Sequence, residues 1–213
     1  MTLDTWLAFF VAAWLICLSP GPGVLSCVTA GLNHGFRAAL WNIVGLQAGA
    51  TVTLIVVGVG LGAVLATSPI LFTAIKWFGA GYLVYLGIKQ WRSASAPLRL
   101  PAAELSRVTR TNVPRALFLR GLIVNSTNPK GILFTASVLP QFIDPAAPQL
   151  IQFVIVWCTL LFTDVCCMCG YTALGVQALG FLQNPVAARW TNRVFGALFI
   201  AAGIGLAVFK HGA

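Results

Sequence analysis

Asp164 stands in Leu160-Leu161-Phe162-Thr163-Asp164-Val165-Cys166, an acid inside an otherwise apolar run. A carboxylate at the middle of a bilayer costs about 2.5–3.5 kcal/mol on insertion scales, so such an acid is read as functional by default. Its matching base is Lys130, set within another apolar segment. Both are expected to face the protein interior, within reach of each other, and either can titrate when a substrate intervenes. The plainer reading is a buried ion pair that only sets helix packing.

Two proline motifs lie in similar settings. One is Ser19-Pro20-Gly21-Pro22-Gly23 and the other Asn128-Pro129-Lys130-Gly131. Proline removes a backbone donor and clashes with the carbonyl four residues earlier. Each motif should therefore unwind the helix that carries it. Backbone freed inside a membrane costs several kcal/mol per group unless protein, water or a ligand satisfies it. One transmembrane proline reads as a kink. Two matched breaks, each beside a polar residue, read as a binding site near the bilayer midplane. The substrate-binding candidates are thus Ser19, Pro20, Gly21, Pro22 and Gly23 with Asn128, Pro129 and Lys130, joined by Gln47 and Tyr82. Asp164 and Lys130 are the candidates for proton coupling. Asn42, Asn125, Ser126 and Tyr85 are further polar residues in apolar segments, each singly read as interhelical glue.

The elements that must position these residues are membrane helices. The chain has 213 residues, 59% hydrophobic and only 8% charged, with a mean hydropathy of +0.90. A soluble domain carries about 25% charged residues, so most of this surface belongs in lipid. At about 20 apolar residues per span, the chain holds six spans in one domain, 1–213. The expected helices run over about 5–32, 38–66, 70–91, 116–139, 150–181 and 189–209, with a polar loop over 92–115. The fold class is an all-α integral membrane protein. Its repeats, about 5–91 and 116–209, each hold three helices and so enter the membrane in opposite directions. Phe78-Gly79-Ala80 near the end of the first repeat returns as Phe195-Gly196-Ala197 in the second. Glycines 45, 49, 58, 60, 62, 79, 81 and 87 read as sites of close helix approach.

Charge sets the orientation. Arg37, Lys89, Arg92, Arg99, Arg107, Arg110, Arg115, Arg120, Arg189 and Arg193 fall on one side, ten of the thirteen bases. That side is cytoplasmic by the positive-inside rule, which puts both termini in the periplasm of a bacterial inner membrane. The same rule accounts for the net charge of +9 without nucleic acid as a partner. Lys76 is expected to snorkel to the headgroups. Trp6, Trp77, Trp91 and Trp190 suit an interfacial belt, whereas Trp14 and Trp157 suit packing between helices. With Asp4 and no base before Arg37, the first helix reads as retained rather than as a cleaved leader.

Two rival chemistries use the cysteines Cys17, Cys27, Cys158, Cys166, Cys167 and Cys169. Cys166, Cys167 and Cys169 with Asp164 and Cys17 could offer a soft site for export of a divalent metal. Their spacing spreads the sulfurs around a helix instead of along one face. A membrane thiol–disulfide oxidoreductase needs two cysteines that meet, and the expected fourth helix has none to face Cys17. All six lie in apolar runs, so no disulfide framework is read. A serine hydrolase fails because neither His34 nor His211 is deep enough to act as base to Ser19 or Ser26. No cofactor motif is present, and the sequence leaves open whether the chain forms a homo-oligomer.

The whole run of motifs resembles the RhtB/LysE superfamily of amino-acid exporters. SPGPG from Ser19 and NPK from Asn128 are the two proline signatures. They are joined by NHGFR from Asn33, GLQAG from Gly45, VGVGLG from Val57 and KWFGAGYLVYLGIKQWR from Lys76. The second half adds TNPK from Thr127, PQFI from Pro140 and PQL from Pro148. The resemblance implies export of homoserine, its lactone and threonine, driven by the proton gradient. It also implies that Pro20, Gly21, Pro22, Asn128, Pro129 and Lys130 form the core of the pathway. A lactone has no carboxylate, so Lys130 cannot be an obligatory carboxylate clamp for it.

Overall fold

The computed structural model describes residues 1–92 and 112–208. Arg99, Arg107, Arg110, Lys210 and His211, and the side chain of Lys76, lie outside what is described. Among the described residues the chain forms eight helices. They are α1 (Leu3–Leu18), α2 (Pro22–His34), α3 (Phe36–Thr67), α4 (Pro69–Arg92), α5 (Val113–Ser126), α6 (Pro129–Phe142), α7 (Gln149–Gln183) and α8 (Pro185–Val208). The first and fourth expected helices are each divided in two. The other four run as continuous assignments within a few residues of the expected ends.

Local chemistry explains the divisions. A residue before proline is pushed out of the helical region into extended backbone. Ser19 (ψ 118°), Gly21 (φ −155°, ψ −171°) and Asn128 (ψ 107°) each precede a proline and are extended. Pro22 and Pro129 then open α2 and α6, where the missing N–H does no harm. α1 and α2 meet at 56°.

By length and composition, Phe36–Val64 of α3 and Gln149–Gly175 of α7 can each cross a membrane, and the bent α1–α2 pair is a third such segment if it is counted as one span rather than a re-entrant loop. Many apolar side chains point outward, among them Val56, Val59, Ile70, Phe78 and Leu150, as expected of a surface that meets lipid. The interior holds one cluster around Phe9, Leu83, Phe134, Phe142 and Val156, and another around Val24, Val28, Ile43, Leu46 and Met168.

Glycine brings two helix pairs into backbone contact. A side chain at Gly45 of α3 would collide with the Phe118 carbonyl of α5, and one at Gly121 of α5 with the Asn42 carbonyl of α3. On α4 and α8, Gly87 and Gly196 face each other in the same way, with carbonyls 2.6–2.7 Å from the position a Cβ would take. Gly49 and Gly79 are close-packed too, but Gly60 and Gly81 have nothing within 4 Å, so the packing role expected of those two fails. α7 changes direction at Gly175, whose φ of 21° and ψ of −89° are not helical.

Candidate functional site

The two breaks open onto one cavity of about 120 Å³. A single water needs roughly 10–15 Å³ on this measure, so the space suits a solute of about eight to ten heavy atoms. α1 and α2 contribute Cys17, Ser19, Gly21, Gly23 and Val24. From α3 come Leu46, Gln47, Thr51 and Leu54, and α5 with its following turn supplies Asn125 and Asn128. α6 adds Lys130, Gly131, Phe134 and Thr135, while α7 adds Trp157, Leu160, Leu161, Asp164 and Met168. Polar groups from all of these elements thus converge beside an apolar wall of Leu54, Phe134, Leu160 and Leu161.

Lys130 and Asp164 both line this cavity, but the expected pairing between them is not direct. The Lys130 ammonium donates to the Ser19 carbonyl at 2.7 Å. The Asp164 carboxylate accepts instead from the Gln47 amide. The reason lies in the breaks: the carbonyl end of α1 presents an acceptor close to Lys130, and a lysine beside helix-terminal carbonyls is favourably placed. Cys17 shares a hydrogen bond of 3.7 Å with Thr163, the neighbour of Asp164.

Of the residues singled out from sequence, Ser19, Gly21, Gly23, Gln47, Asn128, Lys130 and Asp164 meet at the cavity. Pro20, Pro22 and Pro129 do not line it; they shape the backbone that does. Tyr82 is not among the residues that line the cavity. It sits on α4, 6.5 Å from Phe78 and 5.8 Å from Tyr85 between ring centroids, and α4 gives no residue to the cavity wall. A tyrosine in an apolar helix can face any neighbour, and nothing in its local sequence fixes which. Asn42 is likewise away from the cavity, accepting from Ser26 at 3.1 Å and donating to the Leu117 carbonyl at 3.0 Å.

Three further residues at the site were not read as binding candidates from sequence. Asn125, read as interhelical glue, donates from α5 to the Leu46 carbonyl of α3 at 2.7 Å and also lines the cavity. Trp157, expected to pack, lines the cavity and donates to Thr51 at 3.0 Å. Gln90 of α4 donates to the Ser19 hydroxyl at 3.0 Å. Its only sequence signal is an amide in the last turn of an apolar helix. Trp6, expected in the interfacial belt, donates to Thr159 at 3.1 Å, whereas Trp77, Trp91 and Trp190 are exposed.

The match to known families decides what kind of protein carries this cavity. Residues 14–209 match the LysE type translocator family. The chain belongs to that family. The translocator is 40% identical over 211 residues to the homoserine/homoserine lactone efflux protein of Salmonella typhi, which covers 99% of this chain and 100% of that one. It is 39% identical over 212 residues to an uncharacterized membrane protein of Vibrio cholerae, covering 99% and 100%. It is also 30% identical over 211 residues to the leucine efflux protein of Salmonella choleraesuis, covering 98% and 96%. No solved structure matches the chain. Among the described residues, no three His, Cys, Asp or Glu side chains converge on a point that could hold a metal ion.

Proposed function

We propose that this translocator exports homoserine and homoserine lactone across the bacterial inner membrane by proton antiport, with threonine and related small neutral amino acids as further cargo. The observation that carries this reading is the cavity at the two breaks, small, mixed in polarity, and lined by both Lys130 and Asp164. A zwitterion of about eight heavy atoms finds a cation, an anion, amides and an apolar wall there. The full-length likeness to the Salmonella typhi efflux protein supports homoserine over leucine.

The broader architecture is part of the same proposal. Six spans form two inverted repeats, α1 to α4 and α5 to α8, both termini are periplasmic, and one repeat rocks against the other around the cavity. The division of both opening helices at proline supports that plan. So does the close packing of α4 on α8, the closing helices of the two halves. Substrate enters from the cytoplasm and binds between Lys130, Ser19, Gly21, Gly23, Gln47 and Asn128. Asp164 takes a proton from outside on the return step.

The test is uptake of labelled homoserine into inside-out membrane vesicles containing the translocator, with and without an imposed proton gradient. Gradient-dependent accumulation, lost in Lys130→Ala, is expected. If homoserine, threonine and the lactone all fail to accumulate while leucine does, the cargo assignment is wrong.

A further inference from the structure

The two breaks differ in where some of their partners come from. At the second, the bonds that close the break are local. Pro129 leaves the Asn125 carbonyl without its helical partner, and the Asn128 amide takes it at 3.2 Å. The Thr127 amide and hydroxyl both reach the Ile123 carbonyl, at 3.0 and 2.7 Å. The Asn128 side chain then caps α6 through the Lys130 amide at 3.1 Å.

At the first break the Ser19 and Leu25 amides also bond locally, to the Leu15 and Gly21 carbonyls, but the Leu18 and Ser19 carbonyls take remote donors. Pro22 has no N–H for the Leu18 carbonyl, and the Tyr171 hydroxyl of α7 donates there at 2.7 Å. The Ser19 carbonyl takes Lys130 of α6, and the Ser19 hydroxyl takes Gln90 of α4. These partners lie 153, 111 and 71 residues away in sequence. The unwound segment therefore keeps this geometry only while α4, α6 and α7 keep their places. A shift of about 1 Å in any of them stretches such a bond beyond hydrogen-bond range.

We infer that Tyr171 and Gln90 are positioning residues of the transport cycle: they hold the unwound end of α1 against the cavity in this state and release it when the helices move. Neither lines the cavity, so both act through Leu18 and Ser19 and not on the substrate. The first break is then the moving part and the second the fixed platform. This inference rests on the cavity being the transport site, and its test separates the two ideas.

Cys17, two residues before Ser19, is a buried native reporter of that movement. Its labelling by a small membrane-permeant maleimide is followed by mass spectrometry in the full chain, alongside homoserine uptake. Tyr171→Phe and Gln90→Leu are each expected to raise the Cys17 labelling rate about tenfold and to change the KM or maximal rate of uptake by a similar factor. Thr127→Val, which removes a bond of the self-contained break, should leave labelling unchanged. Labelling that does not rise in either variant overturns the holding role, and labelling that rises with unaltered uptake kinetics overturns its part in transport. Wild-type vesicles that take up no homoserine refute the cargo assignment instead, and the labelling arm still decides whether the two residues hold α1.

Discussion

Asp164→Asn tests the coupling most directly. The residue lies fifteen positions after Gln149, the start of α7, which at 1.5 Å per residue is about 22 Å along the helix. A proton taken up there from outside and released inside carries one charge through the membrane. That charge is worth about 2.3 kcal/mol per 100 mV, and tenfold per 1.4 kcal/mol makes it a roughly 50-fold substrate gradient. Asparagine keeps a side-chain oxygen for the Gln47 amide that Asp164 now accepts, so the helix contact between α3 and α7 can persist while the titrating group is gone. In inside-out vesicles at an imposed 100 mV, the wild-type chain should approach that 50-fold accumulation of labelled homoserine. The Asp164→Asn variant should still equilibrate homoserine, and exchange labelled for unlabelled substrate, but reach a ratio near one. A variant that continues to build a potential-dependent gradient would show that the coupling proton travels elsewhere.

Other perturbations follow from the packing and the site. Tyr82→Phe should leave homoserine uptake within about twofold of wild type, because its ring packs among Phe78 and Tyr85 on α4; a loss of more than tenfold would return Tyr82 to the substrate path. Asn128→Ala removes the cap of α6 and should lower stability by about 1 kcal/mol, read as a lower midpoint of thermal unfolding in detergent, with Asn128→Asp largely restoring it. Gly87→Val places side-chain atoms against the Gly196 carbonyl and should cost about 1–3 kcal/mol by overpacking, seen as reduced folded yield, whereas Gly60→Val, in open space, should be tolerated. Asn42→Leu leaves the buried Ser26 hydroxyl without the acceptor it now has, a loss of about 1–3 kcal/mol, and should unfold earlier in the same assay.

Much of the site was legible because proline and buried charge are strong signals. Pro20, Pro22 and Pro129 announce where helices must end, and the division of α1 from α2 and of α5 from α6 falls at those prolines. Asp164 and Lys130 stand out because an apolar run tolerates such residues only with a partner. The partners themselves were not legible. Which acceptor Lys130 finds depends on where the carbonyl end of α1 comes to rest, a tertiary fact with no local pattern. Tyr82 and Gln90 make the same point from opposite sides: both are polar residues on α4, and only helix rotation decides that one misses the cavity while the other reaches Ser19. Gly60 and Gly81 show that a glycine in an apolar helix is permission for close approach and not proof of it.

The remote satisfaction of the first break bears on how the chain is made. A membrane protein enters the bilayer as it leaves the ribosome, so the carbonyls of Leu18 and Ser19 arrive before their donors Lys130 and Tyr171 have been synthesised. The last of these lies 153 residues behind Leu18, about 8–30 s of synthesis at roughly 5–20 residues per second. During that interval the exposed carbonyls must be met by water or by the insertion machinery, since hydrocarbon offers no donor. The second break carries its own partners within a few residues and can close as it emerges. The site is therefore finished in reverse order, with the first segment synthesised being among the last to reach its final shape.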